Sequence, residues 1–330
     1  MENDVFLAGV GSYVPSRTLS NEDIQNFVNK TPAWVRKRTG ISARRIAEKS
    51  QNSSDLAFEA SKEALKDAGL EPAQIDLIVF ATITPDTQCP SAANWLQDKL
   101  SAKNAISFDI AAACSGFIFA IDVAEKYLQS KKFTNVLVVA AEVMSRTVNW
   151  SDPASSILWG DGAGAIILTN TDAGKKPKLR SVYLKTDGSK GQDLLLPGGG
   201  SATTPFSNES IASGKHYLKI RNAHTTMKIA VEKFSEAISQ PALEVGLSVG
   251  EIDWFVLHQA NLRIIEAVSK KLGTNFSKYV LTIQKYGNSS SASVAIAFDL
   301  GRKRHFKRGE IICLAVFGGG LTWGGAIIEW

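Results

Sequence analysis

No stretch of the 330-residue chain reaches the roughly 18 to 20 uninterrupted apolar residues that a membrane helix requires. A secretory signal is missing as well. Met1-Glu2-Asn3-Asp4 is acidic and runs straight into Val5-Phe6-Leu7-Ala8-Gly9-Val10, which is too short and wrongly flanked. A cytoplasmic protein with no membrane partner is therefore expected. Cysteine is scarce: Cys89, Cys114 and Cys313 are odd in number and lack metal-ligand spacing, so free thiols are expected, with neither a disulfide framework nor a metal site. There is no long basic run and no nucleic-acid module, although the formal net charge is +5 and the isoelectric point is near 9.0. Such an excess suits nucleic acid, an anionic membrane, or an acidic protein partner carrying a phosphorylated group. The missing modules favour the third, with most of the charges forming an ordinary solvated surface.

Hydrophobic residues at 44 % and charged residues at 21 % exclude a largely disordered chain. The length exceeds what one hydrophobic core usually spans, so two domains or two fused halves are expected.

The stretch Phe108-Asp109-Ile110-Ala111-Ala112-Ala113-Cys114-Ser115-Gly116-Phe117 places one thiol at a bend between an apolar strand and an amphipathic helix. Small residues on both sides permit a tight turn, and Phe117, Ile121, Ala124 and Leu128 recur at helical spacing. A helix N-terminus next to Cys114 predicts a thiol lowered from its reference value of about 8.5 toward neutrality, hence a nucleophile. The other reading of these residues is a small buried cysteine of the core.

Residues 5–12 read as a buried strand, and a helix from Asn21 to Val28 follows a Ser20 cap. Trp34-Val35-Arg36-Lys37-Arg38-Thr39-Gly40-Ile41 sets an aromatic among guanidinium groups. That arrangement suits either stacking on a nucleobase with cations on phosphates or a surface helix end with a partly buried Trp. A helix from Asp55 stops at Gly69, the strand Ile75–Ala81 follows, and a loop Thr82–Ser91 leads into a helix from Ala92 to Leu100. Val136–Ala140 reads as another buried strand. Gly69-Leu70, Ile75-Asp76 and Val79 return 177 residues later as Gly246-Leu247, Ile252-Asp253 and Val256. Each copy is a helix, a turn and a buried strand, which predicts a duplicated α/β fold with parallel-rich sheets. The Gly- and Ser-rich segment from Gly188 to Lys215 is the expected long surface loop, and apolar segments on both sides argue against a domain linker. Gly160-Asp161-Gly162-Ala163-Gly164-Ala165 lacks the spacing of a phosphate loop and reads as close strand packing near the site.

Two further polar residues stand where apolar segments end: His258, in Val256-Leu257-His258-Gln259-Ala260-Asn261, and Asn288, in Tyr286-Gly287-Asn288-Ser289. Papain-like hydrolases also use Cys, His and Asn in this order, but the aromatic that follows their cysteine is absent here.

Ala111-Ala112-Ala113-Cys114-Ser115-Gly116, His258-Gln259-Ala260-Asn261-Leu262-Arg263, Tyr286-Gly287-Asn288 and Phe317-Gly318-Gly319-Gly320-Leu321-Thr322-Trp323-Gly324 together closely resemble the β-ketoacyl-acyl carrier protein synthase III family. The resemblance covers essentially the whole chain. It implies a thiolase-like α-β-α-β-α five-layered fold in two halves, 1–175 carrying the cysteine and 176–330 carrying the histidine and asparagine. It also implies a homodimer that condenses an acyl-CoA primer with malonyl-acyl carrier protein and needs no cofactor. By the resemblance Cys114 takes the acyl group, His258 and Asn288 hold the malonyl thioester carbonyl, Gly319 with Cys114 forms an oxyanion hole, and Phe317 borders the departing carboxylate. Trp34, Arg38, Asn261 and Arg263 would bind CoA. Lys228, Arg263, Lys270 and Lys271 would meet the carrier protein. Phe317 stands where a thiolase is expected to carry a second catalytic cysteine, and Asn288 replaces the second histidine of elongating synthases; Cys313 is expected in the core.

Three departures concern substrate surfaces. The family's Arg-Gly after the Arg-Thr segment is missing, since Arg146-Thr147 is followed by Asp152-Pro153-Ala154, and the loop Lys30-Thr31-Pro32-Ala33 is one residue short. Cys89 stands where acetyl-preferring members carry a bulky Phe that closes the acyl pocket across the dimer, which predicts a deeper or wider pocket and longer or branched primers. Arg221-Asn222-Ala223-His224-Thr225-Thr226 replaces a small-residue segment. The alternative these changes keep open is a related condensing or acyl-transfer enzyme of specialised metabolism with another acceptor. A non-catalytic subunit is disfavoured by the intact Cys114, His258 and Asn288.

Overall fold

A computed structural model describes residues 4–171, 174, 176–203 and 206–330, and the side chains of 223 and 224 lie outside this description. The boundary expected at 175/176 therefore falls on a residue, Lys175, outside the described set.

The apolar runs form the strands of one sheet, most of them buried on both faces. They are β1 (Val5–Tyr13), β2 (Leu77–Ala81), β3 (Ile106–Ile110), β4 (Asn135–Val143), β5 (Asp161–Thr169), β6 (Lys178–Thr186), β7 (Trp254–Leu257), β8 (Ile311–Gly318) and β9 (Thr322–Glu329). Their order is β7-β8-β9-β6-β1-β5-β4-β2-β3. The halves meet through a short β1–β6 contact, Val5 opposite Leu179 and Phe6 opposite Lys178. On each side of this joint the pattern is the same. β2 runs parallel to β4, which is antiparallel to β5, and β5 to β1. Likewise β7 runs parallel to β8, which is antiparallel to β9, and β9 to β6. Even the position of β3 beside β2 has a trace in the second half, a parallel bridge between Phe255 and Tyr279. The sequence repeat lies within this duplication. The single turns Pro72–Gln74 and Val249–Glu251 precede β2 and β7, and Gly69 and Gly246 both adopt the left-handed conformation that ends the preceding helix.

Helices α1 (Ser53–Ala68) and α2 (Ala92–Leu100) cover one face of the first half, and α4 (Ala223–Glu244) and α5 (Leu262–Leu272) cover the second. Between the halves lie α3 (Gly116–Gln129) and α6 (Ala292–Arg304). Strand residues alternate accordingly. Leu77, Val79 and Ala81 join Phe117, Ile121 and Phe298 in the central core, whereas Ile78 and Phe80 join Leu56 and Leu96 in an outer one. Cys313, Ala315 and Phe317 pack with Phe234 and Ile265 in the other outer core. These are the five layers of the expected thiolase-like architecture, and Cys313 is fully buried in one of them.

Local differences from the sequence reading have local causes. The first helix is only Asn21–Gln25, capped by a reciprocal Ser20–Asp23 box. The segment 188–215 is not a plain surface loop. A strand pair, Leu194–Leu195 with Lys219–Ile220, folds it back over the molecule, although Thr204 and Pro205 lie outside the described residues. Gly160, Gly162 and Gly164 do mark close packing: a Cβ on Gly160 would lie 2.3 Å from the Tyr286 carbonyl, and one on Gly164 would lie 2.4 Å from Ala295.

Arg44 is fully buried. Its guanidinium donates to the Leu19 carbonyl at 3.3 Å, Asn21 Oδ1 at 3.0 Å and the Ile157 carbonyl at 2.8 Å, and burial lowers its pKa to about 10. Arg44→Met keeps the apolar stem but strands three acceptors, each costing about 1 to 3 kcal/mol if left unpaired. The expected loss is about 3 kcal/mol or more in urea unfolding, and an unchanged midpoint would show that Arg44 is dispensable.

Candidate active site

At the end of β3 the chain turns sharply. Ala113 adopts a φ of +47°, and Ala113–Ser115 form a single helical turn that leads into α3 at Gly116. The turn is laced to the glycine-rich segment between β8 and β9. Thr322 Oγ1 donates to the Ala112 carbonyl at 3.1 Å, and Ser115 Oγ donates to the Thr322 carbonyl at 3.0 Å. Gly318 allows this approach, because a Cβ there would stand 2.8 Å from the Cys114 amide nitrogen. The expected strand, bend and helix are all present.

His258 immediately follows β7, with its amide donating to the Ala315 carbonyl at 2.8 Å. Its Nδ1 lies 2.5 Å from Ser293 Oγ, which also accepts from the Gln259 amide at 3.1 Å. Asn288 is pinned on both sides of its backbone: its amide donates to the Leu158 carbonyl and its carbonyl accepts from the Gly160 amide, each at 2.9 Å. Its side-chain Oδ1 accepts from the Ser290 amide at 2.8 Å, which leaves the Nδ2 donors to face elsewhere.

These three side chains line one cavity of about 200 Å³, together with Phe317 and Gly319. Asp193 and Leu194 from the fold-over segment and Ile220 from the strand it pairs with line it too, as do Trp159 and Thr226. Phe317 is braced by Phe234, with ring centroids 6.1 Å apart. Of the segment 221–226, Thr226 reaches the cavity, while the side chains of Ala223 and His224 lie outside the description.

Electrostatically the cavity corrects one expectation. Burial pushes the Cys114 thiol up to about 12, opposed by the Ser290 hydroxyl and assisted by the Glu142 carboxyl. A helix terminus contributes about 0.3 to 1 kcal/mol, whereas full burial moves a pKa by as much as several units, so in the unliganded protein burial wins. For His258, burial pulls the imidazole down to about 3, so it is neutral throughout the physiological range. The unfolded histidine titrates near 6.5, so the unfolded chain binds the extra proton between these values. The stability carried by neutral His258 is fully present above pH 6.5 and is lost as pH falls toward 3. Urea midpoints should reveal a loss of about 2 kcal/mol between pH 6.5 and 5 from this group. That component should be missing in His258→Gln, and equal pH slopes for the two proteins would refute it.

A second pocket at the surface is lined by Trp34, Lys37, Arg38 and Arg263, so three of the four residues expected to bind CoA stand together. The Arg38 guanidinium lies 4.9 Å from the Trp34 ring centroid and the Lys30 ammonium 5.1 Å. Asn261, the fourth, connects the two sites: it lines the inner cavity, and its Nδ2 donates to the Arg38 carbonyl at 3.1 Å. Arg146 is engaged elsewhere, with Asn52 Oδ1 at 2.9 Å and the Gln51 carbonyl at 2.6 Å. Lys228 on α4 and Arg263, Lys270 and Lys271 on α5 are exposed on two helices packed together. Cys89 is exposed and lies outside the residues lining the cavity of its own chain.

Sequence reasoning missed Ser290, Ser293 and Glu142. Hydroxyl-rich segments carry no spacing signal, and Glu142 lies just past the apolar run Val136–Ala140, inside the strand Asn135–Val143 that the structure forms.

Residues 108–188 match the model of 3-oxoacyl-[acyl-carrier-protein] synthase III, and residues 243–330 match that of its C-terminal region. The chain is 43 % identical to the β-ketoacyl-[acyl-carrier-protein] synthase III of Clostridium perfringens strain SM101 over the full length of both chains. The crystal structure of 3-oxoacyl-[acyl-carrier-protein] synthase III from Aquifex aeolicus superposes with a TM-score of 0.89 at 36 % identity, covering 99 % of this chain and 100 % of that one. The priming β-ketosynthase of the R1128 polyketide biosynthetic pathway superposes equally well, at 0.89 and 33 % identity over 98 % of this chain and 96 % of that one. With its fold, its cavity and its full-length relatives in agreement, the chain belongs to the β-ketoacyl-acyl carrier protein synthase III family.

Proposed function

We propose that this protein joins an acyl-CoA primer to malonyl-acyl carrier protein by a decarboxylating Claisen condensation, so initiating fatty acid synthesis. The observation that carries this reading is the convergence of Cys114, His258 and Asn288 on one buried cavity. Cys114 sulfur attacks the acyl-CoA carbonyl, the carbon–sulfur bond to CoA breaks, and CoA leaves as the thiol with the cysteine proton. The malonyl thioester then enters. Ser293 donates its proton to His258 Nδ1, so the ring proton sits on Nε2; this proton and an Asn288 Nδ2 proton converge on the thioester carbonyl. Loss of CO2 leaves an enolate whose negative oxygen these two donors stabilise. Its carbon attacks the acyl-Cys114 carbonyl, the amides of Cys114 and Gly319 hold the resulting oxyanion, and collapse releases the β-ketoacyl carrier protein and the Cys114 thiolate, which takes a proton from water. Phe317 keeps the wall beside the departing carboxylate apolar, which favours neutral CO2 over the anion. No cofactor enters this sequence of steps.

The outer pocket would hold CoA, its adenine on Trp34 and its phosphates against Arg38 and Arg263, with Asn261 at the pantetheine passage. Lys228, Arg263, Lys270 and Lys271 offer an acidic carrier protein a basic face. A homodimer is supported by the open sheet edge at β3, where Ile106 is 55 % exposed beside Trp95 at 39 %. The Cys89 loop adjoins this face, since Trp95 Nε1 donates to Thr87 Oγ1 at 3.1 Å, so each Cys89 would border the partner's acyl pocket. Among the described residues no helix is long and apolar enough to cross a membrane, and the reading places the enzyme with its carrier protein in the cytoplasm.

Intact-protein mass after mixing with acyl-CoAs from acetyl to dodecanoyl, then with malonyl-carrier protein, tests the proposal. A gain on Cys114 that malonyl-carrier protein discharges as a β-ketoacyl product supports it and names the primer. A gain discharged only by another acceptor favours a specialised-metabolism enzyme, a reading to which the likeness to a polyketide priming ketosynthase lends weight. Cys89→Phe should shift the profile toward acetyl-CoA, and an unaltered profile would remove Cys89 from the pocket.

A further inference from the structure

Ser290 is fully buried and holds a φ of +50°, a left-handed conformation uncommon for a residue with a side chain. Its amide and its hydroxyl reach groups of the site. The amide orients Asn288 Oδ1 at 2.8 Å, the backbone also hydrogen-bonds the His258 ring, and the hydroxyl donates to Cys114 Sγ at 3.6 Å. On its other side the hydroxyl reaches the Glu142 carboxyl. Glu142 is itself fully buried in β4. Its Oε2 accepts from Thr84 Oγ1 at 2.7 Å, the Ile83 amide at 3.1 Å and Thr82 Oγ1 at 3.2 Å, and its Oε1 accepts from Ser291 Oγ at 2.8 Å. Burial raises the pKa of this carboxyl, and the donors aimed at it oppose that rise. The network sets the carboxyl behind the sulfur, with the Ser290 hydroxyl between them. None of the steps proposed above uses either group.

We propose that Ser290 is a positioning residue whose hydroxyl stabilises the Cys114 thiolate, while the Glu142 carboxylate behind it opposes that thiolate and adds to the effect of burial. The groups facing the sulfur bear this out. Glu142 approaches from β4, neutral His258 from the end of β7, and Asp193 lies on the lining of the same cavity; among the described residues no lysine or arginine lines it. Among the described residues the hydroxyl is thus the one side-chain donor placed on the sulfur, and a donor to a charged acceptor is worth more than one between neutral groups. A thiol held protonated by burial, with a buried carboxyl behind it, resists adventitious oxidation and alkylation and gives up its proton to the departing CoA thiol.

The inference rests on Cys114 being the nucleophile, but iodoacetamide alkylation reports the thiol itself and needs no substrate. Ser290→Ala keeps the Cβ and the strained backbone and removes only the hydroxyl; because the thiol lies at about 12, the alkylation rate at a fixed pH near 8 follows the small thiolate fraction and should fall about tenfold or more. Glu142→Gln removes the carboxyl and should raise that rate. A merely structural role would move both rates the same way. A Ser290→Ala rate equal to the native one, or two changes of the same sign, overturns the proposal and leaves the condensation reading intact. Should Glu142→Gln fail to fold, the Ser290→Ala rate alone decides.

Discussion

Cys114→Ala, mixed with acyl-CoA, is expected to gain no mass, and its condensation rate should fall by at least about 10⁴-fold, the scale on which removal of a covalent nucleophile acts. The cavity survives this change. Alanine keeps the Cβ on the turn between Ala113 and Ser115, and the lacing through Thr322 and Ser115 involves neither the sulfur nor its hydrogens. His258 and Asn288 keep their partners, so release of CO2 from malonyl-carrier protein should persist. Acyl transfer to the Cys114→Ala protein would remove Cys114 from the nucleophile's role, and a fall in CO2 release equal to the fall in condensation would mean that the sulfur, not the His258–Asn288 pair, drives decarboxylation.

The converse separation is expected of the other two residues. His258→Ala and Asn288→Asp should still be acylated, because the sulfur and its Ser290 contact are untouched, but CO2 release should fall by about 10² to 10³-fold for each lost donor. Asn288→Asp is the more informative of the two. An aspartate retains the oxygen that accepts from the Ser290 amide, so the loop keeps its shape, yet it replaces the amide donor with an anion facing a developing negative oxygen. The loss should therefore lie at the upper end of the range. Isotope-labelled malonyl-carrier protein measures the release directly, and an unchanged rate in either variant would refute its assignment.

Much of this was legible beforehand because it is written in short-range patterns. The bend at Cys114 follows from a run of small residues between a strand and a helix, and the repeat spaced by 177 residues predicted two equivalent halves. Their shared strand order bears that out. The resemblance brought His258 and Asn288 into the same site although 144 and 174 positions separate them from Cys114; periodicity alone left each as the polar end of an apolar segment.

The ionisation of the thiol was not legible. From the sequence the nearest influence on Cys114 was the helix beginning at Gly116, which favours thiolate; the folded chain instead buries the sulfur and sets Glu142 and Ser290 beside it from elsewhere in the chain. The same holds for the segment after Gly188, whose composition reads as solvent-exposed but whose Asp193 and Leu194 wall the cavity, because pairing with Lys219–Ile220 folds it inward. The sequence by itself determined the fold, its duplication and the family, since these depend on local propensity and on side-chain pattern. Only the tertiary structure decided the electrostatic state of Cys114 and His258 and the walls around them, because desolvation and hydrogen bonding act through distances of a few ångströms between residues that the chain order keeps far apart.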